Sequence, residues 1–143
     1  MGDFRRLTEN IFVAPQLALE DVEDAAALGI GMIVNNRPDG EEPSAPQGHA
    51  IETAAAAGGL GYVAIPITHA GFSAPQIDAM IAAMEQAEGP ILAYCRSGTR
   101  STLLWALAAA KQGEEPDTIV RAAAQAGYDV SPIRAMIDML AAR

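Results

Sequence analysis

Apolar residues along this chain fall into two kinds of run. Four runs are short and unbroken: Ile11 to Val13, Ile30 to Val34, Tyr62 to Ile67 and Ile91 to Tyr94. Each is bounded by turn-forming residues, the pattern of strands buried on both faces. Between them the apolar positions take helical spacing. Leu19, Val22, Ala25, Ala26 and Ala27 form one such segment over 19–28, closed by Gly29. Ile77, Met80, Ile81 and Met84 form a second stripe. Ser101 to Ala110, which includes Trp105, is apolar almost throughout and predicts a buried helix. Two more helices are predicted near 116–125, with Asp117 as an early acidic residue, and near 132–142, with Ser131 as N-cap. The spacing of Met80, Met84, Met136 and Met139 assigns them to the core.

The tetrapeptide Ser-Ala-Pro-Gln occurs twice, at 44–47 and at 73–76. In both copies Gln stands three residues after Ser and Pro falls in the first turn, which reads as a capping box. The first copy predicts a helix from 44 to about 57, ended by Gly58 and Gly59; the second predicts the helix carrying Ile77 to Met84. Strands alternating with helices give an α/β fold: three layers, a mostly parallel sheet flanked by helices. No linker, low-complexity tract or internal repeat interrupts the pattern, so 1–143 is read as one domain.

Composition narrows the possible functions. Half the 143 residues are apolar, enough for a core of useful size. The net charge of -9 argues against nucleic acid as a partner, since phosphate backbones are held by clustered Lys and Arg. A single cysteine rules out an internal disulfide framework and suits a reducing compartment. The polar stretch Met1 to Glu9 has no signal-like apolar region, and no run is long enough to span a bilayer. The expected location is cytoplasmic, with no membrane partner. His49, His69 and Cys95 show no metal-ligand spacing, and Gly-Gly-Leu-Gly at 58–61 matches no nucleotide loop, so no metal or cofactor is expected.

The chemistry gathers after the fourth apolar run, in Ile-Leu-Ala-Tyr, then Cys-Arg-Ser-Gly-Thr-Arg-Ser at 95–101, then the buried helix. A strand–loop–helix junction aims loop amides and a helix N-terminus at one point. Gly98 permits a tight turn, and Arg100 offers a planar two-pronged donor to an oxyanion. A thiol there has its thiolate stabilised by the same groups, so nucleophile and anion site coincide at Cys95. Arg96, Ser97, Gly98 and Thr99 complete the anion-binding loop, and Ser101 is placed to donate its hydroxyl to the sulfur. The expectation is a thiolate facing solvent. A lone cysteine is ordinarily a small buried hydrophobe; its place at the C-terminal end of a parallel strand, where ligands bind, favours catalysis.

This loop resembles the active-site loop of the superfamily that contains cysteine-dependent phosphatases and rhodaneses. The wider pattern resembles the beta-lactamase-hydrolase-like phosphatase domain, the DUF442 family. Pro15-Gln16-Leu17, the segment Val-Asn-Asn-Arg-Pro-Asp-Gly-Glu-Glu-Pro-Ser at 34–44, Ile65-Pro66-Ile67 and the Cys95 loop carry the resemblance, which covers nearly the whole chain. It implies a fold similar to the dual-specificity phosphatases. Three features depart from their pattern. Cys95 and Arg100 are separated by four residues where those phosphatases have five, a spacing similar to rhodaneses. Tyr94 stands where those enzymes have His. In Ile65-Pro66-Ile67-Thr68-His69, His69 stands where the resemblance implies an Asp general acid.

The short loop and the missing Asp favour a sulfurtransferase that forms a Cys95 persulfide, because sulfite and thiolates leave more readily than alkoxides. Two alternatives stand beside it: a protein-tyrosine or dual-specificity-type phosphatase working through a Cys95 phosphocysteine, with His69 or Asp39 as acid, and an inactive relative that only binds an anion or a protein. A redox-sensor thiol is disfavoured, since the chain has no second cysteine to resolve a sulfenic acid. Arg37 is a candidate second anion-binding charge. Asp39 is either an acid or a residue of the Pro-Asp-Gly turn. The partners expected are a small oxyanion, persulfide or thiol, or else a phosphorylated substrate; the oligomeric state is left open.

Overall fold

The computed structural model describes residues 2–142. Five strands form one sheet: β1 (Arg5–Thr8), β2 (Ile11–Ala14), β3 (Met32–Asn35), β4 (Gly61–Ala64) and β5 (Ile91–Tyr94). Six helices accompany them: α1 (Leu19–Ala27), α2 (Gly48–Ala57), α3 (Ala74–Gln86), α4 (Thr99–Lys111), α5 (Pro116–Gln125) and α6 (Arg134–Ala141). The strand order is β1-β2-β5-β3-β4. β2, β5, β3 and β4 run parallel, and β1 pairs antiparallel with β2 at the edge. The expected mostly parallel, three-layer α/β architecture is the one observed.

Side chains of a strand alternate between faces, and the sheet uses this to build two cores. Leu92 and Tyr94 of β5 join Ile33, Leu17, Val22 and Ile51 beneath α1 and α2. Ala93 joins Val13 and Val34 on the other face, under the larger cluster of α3 to α6. Helix α4 lies at the centre of that cluster, buried continuously from Leu104 to Ala110. Its alanines, Ala106, Ala108 and Ala110, are fully enclosed, so neighbouring helices approach closely. Leu104 and Leu107 are also fully buried, and truncating either to Ala would cost about 2–5 kcal/mol. The helix that begins at the reactive loop is thus among the most firmly anchored elements.

Four expectations shift. β1 carries no signal in the sequence pattern, because its only buried residue is Leu7 and an exposed edge strand leaves no apolar run. The first Ser-Ala-Pro-Gln is not a capping box: α2 begins at Gly48, Ser44 donates its hydroxyl to Glu42, and the Gln47 side chain accepts the Gly40 N–H at 2.7 Å. The second copy behaves as expected, with the Ser73 N–H donating to Gln76 Oε1 at 2.8 Å. Met139 is 57% exposed, against the core assignment, whereas Met80 is fully buried and Met84 and Met136 are partly so. A 3-10 turn, Ser131–Ile133, precedes α6, so that helix starts later than expected. Among the described residues no helix is long and apolar enough to cross a membrane.

The register decides where the site lies. Ala14 of β2 and Asn35 of β3 both pair with Tyr94, so the three central strands end level. The loops that follow them therefore emerge side by side.

Candidate active site

Cys95 directly follows β5 and is fully buried. This corrects the expectation of a solvent-facing sulfur, for the loop folds over its own nucleophile. The burial is not apolar isolation. The Gly98 N–H donates to Cys95 Sγ at 3.1 Å, and Arg100 lies close enough to interact with the same sulfur. Gly98 has φ +91° and serves as N-cap of α4, turning the chain back so that its amide reaches the sulfur three residues earlier. Only glycine adopts this conformation without strain, and a Cβ at position 98 would fall on the Tyr128 hydroxyl. That hydroxyl donates to the Ser97 carbonyl at 3.0 Å and closes the loop from the α5 side. Ser97 Oγ donates to Thr99 Oγ1 and accepts the Thr99 N–H, so both residues are engaged within the loop.

Ser101 does not serve the sulfur. Its hydroxyl donates to Asn36 Oδ1 at 2.7 Å. Asn36 is fully buried; its side-chain amide donates to the Ile65 carbonyl at 2.9 Å, and its main-chain N–H to the Tyr94 carbonyl at 2.9 Å. One asparagine thus ties the ends of β3 and β5, the extension of β4 and the first turn of α4 together.

Arg100 is held by the loop after β3. Its Nη1 and Nη2 donate to the two Glu41 oxygens at 2.7 and 2.9 Å, and Nη1 also donates to the Ile67 carbonyl at 2.8 Å. These contacts occupy the outer edge of the guanidinium. The Nε–H and the remaining Nη2 hydrogen form a second parallel pair, the geometry that takes an oxyanion in a fork. Glu41 also accepts from Arg37 Nε at 3.0 Å. Its hydrogen bonds to Arg100, and secondarily to Arg37, hold its carboxyl at about 2. The hydrogen bonds that Arg100 donates to Glu41 raise the Arg100 pKa, and the nearby Cys95 adds to this. Glu41 was missed in the sequence; its acidic run reads there as a solvated turn.

The remaining candidates divide. Asp39 Oδ1 accepts the Gly48 N–H at 2.9 Å and so caps the first turn of α2. Arg37 Nη1 donates to Gln16 Oε1 at 2.9 Å, which leaves Arg37 largely committed to structure. Arg37, His69, Arg96, Ser97 and Arg100 all border one cleft of about 660 Å³, with Phe72 and Leu103 as apolar wall. Asp39 does not border it. His49 is exposed on α2, and Tyr94 packs into the core under α1 and α2, where burial pushes its phenol pKa up. Among the described residues no three His, Cys, Asp or Glu side chains gather where a metal ion could bind.

The family described as "Beta-lactamase hydrolase-like protein, phosphatase-like domain" matches residues 3–112. The chain belongs to that family. A beta-lactamase hydrolase-like protein of Agrobacterium fabrum is 37% identical over 108 residues, covering 76% of this chain and 25% of that protein. The chain therefore spans about a quarter of that relative's length. A solved structure from Neisseria meningitidis Z2491, described as that of a proposed phosphatase, matches with TM-score 0.85 and 35% identity over 98% of this chain and 99% of the other. Tk-PTP in its active form matches with TM-score 0.76 over 99% of this chain and 97% of the other, at 15% identity, and shows the shared fold alone. The fold is that of the protein-tyrosine and dual-specificity phosphatases, and the family supports an enzyme.

Proposed function

We propose that this family member is a thiol-dependent group-transfer enzyme in which Cys95 carries the transferred group covalently, and that the group is a sulfane sulfur. The observation that carries the choice is the state of the carboxylates around Arg100. Glu41, held at about 2, is ionised at neutral pH and has no proton to give. Asp39 is engaged by the α2 amide and lies outside the cleft. The cleft is thus rich in donors for an anion and poor in carboxylic acid for protonating a leaving oxygen. Sulfur transfer suits that arrangement, because sulfite and thiolates depart as stable anions.

In the first step the Cys95 thiolate attacks the outer sulfur of thiosulfate or of a low-molecular-weight persulfide. A new S–S bond forms at Cys95, the donor's S–S bond breaks, and sulfite or a thiolate leaves with the electron pair. In the second step an acceptor thiolate or cyanide attacks the outer sulfur of the Cys95 persulfide, takes it, and returns the Cys95 thiolate. The Gly98 amide and the free edge of Arg100 stabilise the anion at each stage.

A phosphatase is the second reading, and the family name and the description of the Neisseria relative support it. There Cys95 attacks phosphorus, and His69, which borders the cleft, would protonate the leaving oxygen. Intact-protein mass after separate incubation with thiosulfate and with an aryl phosphate discriminates the two. The expected result is a gain of one sulfur atom from thiosulfate, absent in Cys95→Ser. Turnover of the aryl phosphate without sulfur gain, lost in Cys95→Ser, His69→Ala and Arg100→Ala, would replace the first reading by the second.

A further inference from the structure

The electrostatics of the cleft say more about its ligand than the reactive loop alone. The chain has 18 acidic and 9 basic residues, yet three of its arginines border this one cleft. Arg100 and Arg37 share Glu41. Arg96 is different. Arg5 and Arg134 pair with carboxylates, and so does Lys111. Arg6 donates to the Thr8 carbonyl and lies over the Phe12 ring, and Arg121 donates to Thr118. Among the described residues Arg96 alone has a cationic head that makes no hydrogen bond, ion pair or ring contact, feeling Glu42 only through its charge, although it borders the cleft one residue from the nucleophile.

Size points the same way. A cleft of about 660 Å³ is in the range of sites that take organic ligands, far more than a four- or five-atom oxyanion fills. Phe72 and Leu103 supply apolar surface on its wall, and both are only partly buried, so they keep area to offer a ligand. An inorganic oxyanion at Arg100 would leave Arg96, Phe72 and Leu103 unused.

We infer that the substrate is an organic anion with two charged ends: the reacting group sits at Cys95 and Arg100, an apolar segment rests on Phe72 and Leu103, and a second anionic group, such as a carboxylate, pairs with Arg96. This rests on the reading of the cleft as the substrate site of Cys95, and it holds for a sulfur donor or for a phosphate ester. Arg96 is then a specificity-determining residue.

Binding of unreactive anions tests this without any turnover. The probes are benzenesulfonate, with one charge, and 3- and 4-sulfobenzoate, which add a carboxylate at two different spans. Each is titrated calorimetrically into the Cys95→Ser protein at low ionic strength. At least one sulfobenzoate should bind about three- to fivefold more tightly than benzenesulfonate, the upper part of the gain expected of one added ion pair at an exposed arginine. In Cys95→Ser with Arg96→Ala that advantage should fall to about twofold or less. Arg121→Ala, which removes the same charge from α5 outside the cleft, should retain it. Equal binding of all three anions, an advantage that survives Arg96→Ala, loss of the same factor for every anion in Arg96→Ala, or no binding at all overturns the inference. Failure of the functional reading looks different: the anions bind as expected, but wild-type Cys95 gains neither sulfur nor a phosphoryl group.

Discussion

Two loops leave the ends of adjacent parallel strands, and they achieve order by opposite means. The loop after β5, residues 95–98, is short and braced by its own backbone: one left-handed glycine, one amide on the sulfur, and the Tyr128 hydroxyl on the Ser97 carbonyl. The loop after β3, residues 36–47, is longer and largely exposed, and side chains hold it: Asn35 accepts the Arg37 N–H, Asp39 the Gly48 N–H, and Gln47 the Gly40 N–H. The first contributes the nucleophile. The second contributes Glu41, which fixes the guanidinium that faces that nucleophile. A nucleophile must be placed within a fraction of an ångström, which a tight backbone turn does well. A cation that receives a variable anion needs only its far edge fixed, which a side-chain pair does well.

The contrast can be broken at either loop. The largest effect is expected from Gly98→Ala, where positive φ and the Tyr128 hydroxyl both oppose a side chain. The loss should be about 2–4 kcal/mol in denaturant unfolding, accompanied by loss of Cys95 loading. Adding Tyr128→Phe removes one contact atom but not the backbone strain, so recovery should be partial. Full recovery would show that crowding, not φ, fixes the glycine.

Glu41→Gln should leave the fold intact but loosen Arg100. The rate at which Cys95 accepts its group should fall roughly tenfold, on the order of 1.4 kcal/mol in the barrier. An unchanged rate in single-turnover mass measurements would mean that the Ile67 carbonyl suffices to orient Arg100. Asp39→Ala is the converse case. It removes the acceptor for an α2 first-turn amide and should cost about 1 kcal/mol of stability, with loading of Cys95 unchanged. Strong loss of loading would return Asp39 to the role of proton donor.

The smallest effect is a pH dependence. The Glu41 carboxyl is held at about 2 in the folded protein, below its ordinary value of 4.5. Its contribution to stability is therefore complete above about 4.5 and is lost as pH falls from there through about 2. The difference in stability between wild type and Glu41→Gln should shrink across that window in acid titrations. A constant difference would place the Glu41 contribution outside its charge.

Much of this was legible in the sequence, for reasons that particular residues make clear. Ile91 to Tyr94 reads as a strand with its observed bounds, because an unbroken apolar tetrapeptide between Pro90 and a polar loop has few other uses. Pro116 to Gln125 was equally plain, because proline starts a helix and the spacing continues it. The two Ser-Ala-Pro-Gln segments mark where local reading ends. One caps α3; in the other, Gln47 turns to the Gly40 amide and the helix waits for Gly48. The same four side chains meet different neighbours, and the neighbours decide.

The chain itself determined the alternation of strands and helices, the position of the lone thiol after a buried strand, and the glycine that lets the loop close, since each depends on residues adjacent in sequence. Only the tertiary structure decided that Glu41 grips Arg100, 59 positions away, that Asn36 takes the Ser101 hydroxyl, and that Arg96 makes no hydrogen bond or ion pair. Those pairings depend on the level ends of β5 and β3. A strand register is set by packing of the whole sheet, and no short window of sequence contains it.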